Sequence, residues 1–351
     1  MPARSPSSAL ALATTSVLVL ACAQPPVPAP ARASEAAPSA ASPAPAPLAG
    51  LERLLTGAWR QTAASGTSML HSWRWGPGQR SLRSTTTGES ASGDPWRALT
   101  YFYVHPREGD VRTFGLSCYA GGVSEGCFEI AGDEAAGRFE LFQQGHHRRM
   151  ELRWLFTDSD RYRETLLEET SPGRIEELVT WEHAREAAPS SERISMEELL
   201  AQPSARWSAL RRWIGKGWLV GSCLRDLADP TLAARLRWIP LIDALELQVA
   251  RVTPDGSAEL LWEAMLYHHV GLAKLRCFAL SASGEVATGD MRILDEHEVE
   301  LELEEEREDA KLARRVTFRR EKDVMFFSLS GAGGEPQRKV TLQESLGLPW
   351  R

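Results

Sequence analysis

The stretch WRALTY at Trp96–Tyr101 returns later in the chain as WEAMLY at Trp262–Tyr267. LSCYA at Leu116–Ala120 returns in the same order as LRCFA at Leu275–Ala279, and the apolar and glycine positions that follow return as well. The distance between the copies changes by only a few residues, as short loop insertions would cause. This ordered series of matching runs indicates an internal duplication, which decides how the rest of the chain is interpreted.

Both copies consist of successive strand-like runs. Apolar and polar residues alternate in stretches such as Met69–Trp75 and His297–Glu304, as they do in a half-buried strand. Turn-forming pairs such as Gly121-Gly122 and Pro172-Gly173 separate the runs. Each copy holds roughly ten runs, and a sheet of that size has to close because an open one exposes two edges. The chain is therefore predicted to be all-β, with two tandem, roughly ten-stranded antiparallel meander β-barrels, each preceded by a short helix.

The first residues have the features of an export signal. Arg4 precedes an apolar run, Ala9–Ala21, that is too short to span a bilayer but suits the core of a signal peptide. The run ends in Leu20-Ala21-Cys22, which resembles the bacterial lipobox and implies that Cys22 is acylated. An ordinary cleavage site with an incidental cysteine is the alternative. The prediction is an exported protein that is lipid-anchored to a bacterial membrane, in the outer membrane or periplasm.

Composition divides the remainder of the 351-residue chain, which is long enough for two domains. We assign residues 1–21 to the signal peptide and 22–48 to a Pro/Ala-rich linker, because that composition buries too little apolar surface to fold. A polar break then leads into a helical linker at 187–206. The two barrel repeats cover residues 49–186 and 207–351.

Each repeat opens with a helical turn and then a tryptophan, in Gly57-Ala58-Trp59 and in Lys216-Gly217-Trp218. Together with the ten-strand pattern, this resembles lipocalin-like (calycin) barrels, and among them the fatty-acid-binding and nitrobindin-type families. The resemblance implies barrels that enclose an apolar cavity, with Trp59 and Trp218 packing at the closed end. Nitrobindin-type barrels hold haem through a histidine near the mouth. No residue here matches that histidine, so no cofactor is predicted.

A ligand cavity in such barrels would be lined by inward aromatic residues of the central strands. The same residues could equally form a plain packed core, since aromatic side chains fill barrel interiors in either case. The residues predicted to line a ligand are Trp75, Tyr101, Tyr103, Phe114, Trp238, Trp262 and Tyr267.

Four cysteines remain once Cys22 is set aside, and an exported protein meets an oxidising compartment in which disulfides persist. Cys118 and Cys127 flank the Gly121-Gly122 turn and are one candidate disulfide; Cys223 and Cys277 are a second, which would cross the barrel. The alternative is that all four are small buried apolar residues.

Several functional classes are disfavoured. A net charge of −7 argues against nucleic-acid binding, which needs a basic surface. The adjacent pairs His146-His147 and His268-His269 point to opposite faces of a strand and cannot chelate one metal, so no metal site is predicted. No nucleophile elbow, phosphate loop or metalloprotease helix is found, so we predict no catalytic residues and no enzyme.

Two functional hypotheses remain. The first is a membrane-tethered lipoprotein that binds a small apolar ligand in one or both barrels. The alternative is a non-enzymatic interaction or scaffolding lipoprotein with packed barrels and no ligand. In either case the lipid anchor makes the membrane a partner, and the identity of any protein partner is left open. The space left inside each barrel distinguishes the hypotheses, since a binding barrel needs a cavity of a few hundred Å³.

Overall fold

A computed structural model describes residues 46–63, 68–89, 93–187, 203–210, 213, 222–253, 256–322, 324–331 and 336–344. The predicted signal peptide, with Cys22, and most of the predicted helical linker lie outside the described residues. Short 3₁₀ helices occupy Ala46–Leu54, Pro77–Gln79, Tyr119–Gly121 and Ala205–Leu210. None of the described helices is long and apolar enough to span a membrane.

Twenty strands follow one another along the chain. The first ten are Ala58–Ala63 (β1), Ser68–Trp75 (β2), Ser81–Glu89 (β3), Pro95–Val104 (β4), Val111–Ser117 (β5), Val123–Ala131 (β6), Glu134–Gln143 (β7), His146–Phe156 (β8), Arg161–Ser171 (β9) and Arg174–Glu186 (β10). The second ten are Ser222–Asp226 (β11), Leu232–Ile239 (β12), Ala244–Val252 (β13), Ala258–His269 (β14), Lys274–Ser281 (β15), Val286–Ile293 (β16), Glu298–Glu306 (β17), Lys311–Glu321 (β18), Val324–Gly331 (β19) and Pro336–Glu344 (β20).

The strands form two closed meander barrels. Each strand pairs antiparallel with its neighbours in sequence, and β1 pairs with β10 and β11 with β20. This confirms the prediction of an all-β chain with two tandem ten-stranded barrels. Closure leaves no sheet edge unpaired, which is the physical reason that a meander of this length forms a barrel.

The strand register matches the two barrels residue by residue. Trp75 on β2 pairs with β3 as Trp238 on β12 pairs with β13, so Trp75 and Trp238 are taken as matched positions. Carrying the pairing from strand to strand then matches inner positions of the two barrels. The matching is self-consistent. Followed through the strands in either direction around the barrel, it matches His183 on β10 with Leu342 on β20.

The register also corrects part of the repeat alignment. Gly126 and Gly289 are matched, as the sequence indicates, and their strand partners are Thr113 and Cys277. Cys277 therefore corresponds to Thr113, whereas the repeated LSCYA and LRCFA stretches had matched it with Cys118. The register likewise matches Trp262 with Ala98, two residues away from the Trp96 that the WRALTY and WEAMLY stretches had given. The alignment slipped here because it matched similar residue types across loops of different length.

A 3₁₀ helix closes one end of the first barrel. Leu48, Leu51 and Leu54 of this helix are fully buried in the barrel core. The indole nitrogen of Trp59 donates to the carbonyl oxygen of Leu54 at 3.0 Å, and the Arg185 guanidinium lies 4.6 Å from the Trp59 ring centre. Trp59 is thus a packing residue at the closed end, as the family resemblance implies. Its counterpart in sequence, Trp218, lies outside the described residues.

The barrels pack against each other through their outer faces. An apolar cluster joins β4–β6 of the first barrel to β12–β16 of the second, and within it the rings of Phe114 and Phe278 stack at 4.1 Å. Beside it lies a buried ionic network. Arg83 of the first barrel bonds to Glu246 and Glu263 of the second, with side-chain exposures of 3%, 0% and 0%.

Two further arginines complete this network. Arg74 lies 2.6 Å from Glu263, and Arg237 bonds to Glu246. Burial alone would raise the pKa of Glu246, but the guanidinium groups of Arg83, Arg237 and Arg74 more than offset burial and hold that pKa well below its ordinary value. The charges are therefore paired, as buried charges must be to persist.

Candidate functional site

The structure divides the predicted ligand-lining residues into two groups. Trp75, Trp238 and Trp262 belong to the cores inside the barrels. The other four lie in the apolar cluster between the barrels: Tyr101, Tyr103, Phe114 and Tyr267. Their expected inward orientation is wrong because side chains alternate along a strand. On β4, Phe102 points inward, so its neighbours point outward toward the other barrel.

The interior of the second barrel is almost full. Its cavity has a volume of about 20 Å³. That is room for one or two water molecules, since each needs about 10–15 Å³. The wall is wholly apolar, and its lining includes Leu236, Leu266, Met291, Phe318, Met325 and Leu342. This barrel has an almost filled apolar core.

The inner wall of the first barrel is partly exposed to solvent. Leu152 lies on the inner wall, because it packs against the same core cluster as Trp154. Thr100, Leu166 and Trp181 also lie on the inner wall and are partly exposed, as Leu152 is. All four matched positions of the second barrel are buried: Ala264, Val316, Leu329 and Val340. At these four positions the inner wall of the first barrel is therefore more exposed than that of the second.

Five of the buried polar side chains that face this interior are named here the polar cluster: Gln61, His71, Thr86, Glu164 and His183. The Nε2 of His71 lies 2.8 Å from the Gln61 side-chain oxygen, and its Nδ1 lies 3.2 Å from the Thr86 hydroxyl. The rings of His71 and His183 meet edge to face at 5.0 Å. Four adjoining strands, β10, β1, β2 and β3, thus bring four of these side chains together.

Glu164 and aromatic rings surround His183. The Nε2 of His183 lies 3.3 Å from the Glu164 carboxylate, and that carboxylate accepts a hydrogen bond from the indole nitrogen of Trp154 at 3.0 Å. The Tyr162 ring stacks on His183 at 4.0 Å. Among the described residues, neither ring nitrogen of His183 has a hydrogen-bond partner, and the buried Tyr162 hydroxyl and Trp73 indole nitrogen have none either. Buried polar atoms without hydrogen bonds are rare in folded proteins, so these atoms are candidates to bind an occupant.

The second barrel shows that the fold does not need these polar residues. At the matched positions, His71 is replaced by an alanine, Thr86 by a valine, Glu164 by a phenylalanine and His183 by a leucine: Ala234, Val249, Phe327 and Leu342. All four belong to the apolar core. Only the position matched to Gln61 is polar in the second barrel. It holds Asp226, whose carboxylate accepts a hydrogen bond from the backbone N–H of Ala228 in the adjoining turn. The polar cluster is thus a property of the first barrel alone.

The burial of His71 makes the stability of the fold depend on pH. Burial, and next the nearby His183, lower its pKa well below the ordinary 6.5. The unfolded chain therefore takes up a proton below pH 6.5 while the folded chain does not, so stability is present above 6.5 and lost as the pH falls, by up to about 1.4 kcal/mol per pH unit. We expect His71→Ala to flatten the pH dependence of urea unfolding between pH 6.5 and 5. The exposed His146→Ala control should leave that dependence as it is; equal slopes for both variants would contradict this assignment.

One cluster of potential metal ligands occurs within the described part of the chain: His105, Glu108 and Asp110. These groups already have partners. The Nε2 of His105 lies 2.6 Å from Glu306, and Arg112 pairs with both Glu108 and Asp110. The cluster is an ion-pair network beside the barrel interface, and the sequence had not indicated it.

The structure places the cysteines apart. Cys118 and Cys127 are both free thiols. The last pair of their hairpin is Leu116↔Val123, so Cys127 lies four residues, about 13 Å, up the strand from the turn. This corrects the predicted Cys118–Cys127 disulfide, since a disulfide needs Cα atoms within about 7 Å.

Cys277 is buried in the core of the second barrel, where burial raises the pKa of its thiol to about 12. The side chain of its predicted partner Cys223 lies outside the described residues, so the Cys223–Cys277 disulfide stays a prediction.

No family description matches the chain, and no curated protein matches it. Among solved structures it is similar to a dehydratase domain from the CurF module of curacin polyketide synthase, with 10% identity over 74% of this chain and 94% of that chain. The TM-score is 0.15, and a likeness of that size supports no inference about fold or function.

Proposed function

We propose that the protein is a membrane-tethered, non-enzymatic lipoprotein that binds a small, largely apolar ligand inside its first barrel. The observation that carries the proposal is the contrast between the two interiors. Inner-wall side chains of the first are partly exposed and surround a buried glutamate and two buried histidines, whereas the matched positions of the second are buried and almost all apolar. Ligand sites combine apolar walls with a few placed polar groups, and that is the composition of the first interior.

The tether is part of the proposal and rests on the sequence. A lipid chain on Cys22 and the Pro/Ala-rich linker after it would hold the barrels near a membrane surface. The second barrel then serves as a packed partner, joined to the first through the Arg83 network. Mass spectrometry of the membrane-extracted protein tests this part, with an acylated Cys22 as the expected result.

Binding in the first barrel is tested with N-phenyl-1-naphthylamine, a neutral apolar dye that fluoresces when it leaves water. We expect Leu152→Trp to reduce dye affinity at least tenfold, because the larger ring fills the inner wall. Leu155→Trp is the matched control, since Leu155 lies on the same strand with an exposed, outward side chain. Equal dye binding by both variants would remove the site from the barrel interior.

The alternative, an interaction or scaffolding lipoprotein with packed barrels, has one observation in its favour. A cleft of about 330 Å³ lies outside the barrels, where they meet, and its lining includes Tyr103, Arg112, Glu125, Arg276 and Glu306. A partner could bind there without entering either barrel. The dye titration separates the two functions, because the alternative predicts no dye binding that Leu152→Trp removes.

A further inference from the structure

We infer that the first barrel selects an amine: a small molecule with an apolar body and a protonated amino group that lies against Glu164. This inference rests on the proposed function and adds the chemical class of the ligand. Glu164 is the one carboxylate of the polar cluster, and it is buried. A buried carboxylate favours a cation beside it and disfavours a second anion.

The other charged groups on the inner face are already compensated. Arg185, at the closed end, lies 2.8 Å from Asp160 and also donates to the backbone oxygens of Arg53 and Thr56. Near the opposite end, Arg148 lies 3.6 Å from Glu168. Neither arginine is free to bind a ligand carboxylate.

The histidines of the cluster do not supply a ready anion site either. Burial lowers the pKa of His71 well below its ordinary value, so this ring is uncharged at neutral pH. Its two nitrogens are also occupied by Gln61 and Thr86. His183 lies next to Glu164 at 3.3 Å, and an anion bound to His183 would face that carboxylate.

Aromatic rings complete an environment suited to a cation. Trp154 lies 5.7 Å from Tyr162 and 5.9 Å from Trp73, measured between ring centres. Aromatic faces attract ammonium groups, most strongly when water is excluded. The Tyr162 hydroxyl makes no hydrogen bond within the described chain and could accept one from an amino group. The apolar body of the ligand would then extend along Leu152 and Leu166 toward solvent.

Three molecules of equal chain length test the inference: octylamine, octanol and octanoate, titrated by calorimetry into the full-chain protein at pH 7. We expect octylamine to bind at least tenfold more tightly than octanol, and octanoate to bind most weakly. Glu164→Gln keeps an oxygen that can accept the Trp154 hydrogen bond but removes the charge. In that variant the preference for octylamine should fall below twofold while octanol affinity is kept.

The outcomes separate the inference from the proposed function. If octanol binds as tightly as octylamine, or octanoate binds most tightly, the amine class is overturned while binding in the barrel stands. If Leu152→Trp does not weaken binding of any of the three, or none binds, both are overturned. Glu182→Gln is the matched control, because Glu182 is an exposed carboxylate on β10 that pairs with Arg163 outside the barrel. It should leave all three affinities unchanged.

Discussion

Replacing Arg83 by methionine is expected to destabilise the protein by about 3–5 kcal/mol, because the change leaves two buried carboxylates without their shared cation. Arg83 bonds to both Glu246 and Glu263, and all three side chains are buried between the barrels. Methionine keeps most of the apolar volume, so the loss reports on charge rather than on a cavity. Urea unfolding, followed by tryptophan fluorescence, measures the change in the free energy of unfolding.

Arg163→Met is the control for this prediction. Arg163 lies 2.7 Å from Glu182, but both side chains are more than half exposed, so its loss should cost under about 1 kcal/mol. A cost of that small size for Arg83→Met would mean that the barrels do not pack as described. A separate early unfolding step in Arg83→Met would instead support the packing, since the barrels would have come apart first.

Exchanging the matched residues His183 and Leu342 between barrels should have opposite effects. His183→Leu is expected to stabilise the first barrel by about 1–3 kcal/mol, because the histidine is 1% exposed and its ring nitrogens make no hydrogen bond within the described part of the chain. Leu342→His should destabilise the second barrel by about 2–5 kcal/mol, because it places a polar ring in an apolar core. A residue that lowers stability in its native place is typical of a binding site.

Dye and octylamine titration of the His183→Leu variant completes this prediction. We expect its octylamine affinity to fall at least tenfold although the fold becomes more stable. If His183→Leu instead destabilises the first barrel, the histidine is a structural residue with partners inside the fold. That result would remove the polar cluster as a ligand site and leave the scaffolding function as the better account.

Most of the fold could be predicted from the sequence, because strand alternation, turn residues and repetition all point to the same architecture. The repeat of WRALTY and WEAMLY indicates a duplication, and the number of strands then requires closure. Register was harder to predict. Short loop insertions shift one copy against the other, so Cys277 was matched with Cys118 although hydrogen bonding matches it with Thr113.

The orientation of the aromatic residues could not be predicted, for a different reason. On a strand packed on both faces, apolar residues occupy both alternating sets, and β4 has Tyr101 outside and Phe102 inside. The alternation signal is lost on such a strand. The outer face of β4 is apolar because a second barrel covers it, and sequence alone does not state that contact.

The polar cluster was missed because its members are far apart in sequence and individually unremarkable. His71 and His183 come from β2 and β10, and each stands in a run that reads as an ordinary strand. A signal did exist in the sequence: a position-by-position comparison of the two repeats would have matched these polar residues with alanine, phenylalanine and leucine. That comparison needs the register, which only the strand pairing supplies.

Thiol labelling tests most directly the central claim that solvent reaches inner-wall positions of the first barrel whose counterparts in the second barrel are buried. Leu166→Cys and Leu329→Cys place one thiol at matched positions of the two inner walls, in chains whose cysteines at 22, 118, 127, 223 and 277 are replaced by alanine. The account predicts that a small maleimide labels Leu166→Cys in the folded protein and labels Leu329→Cys only on unfolding. Equal labelling of both thiols, or faster labelling of Leu329→Cys, would contradict it.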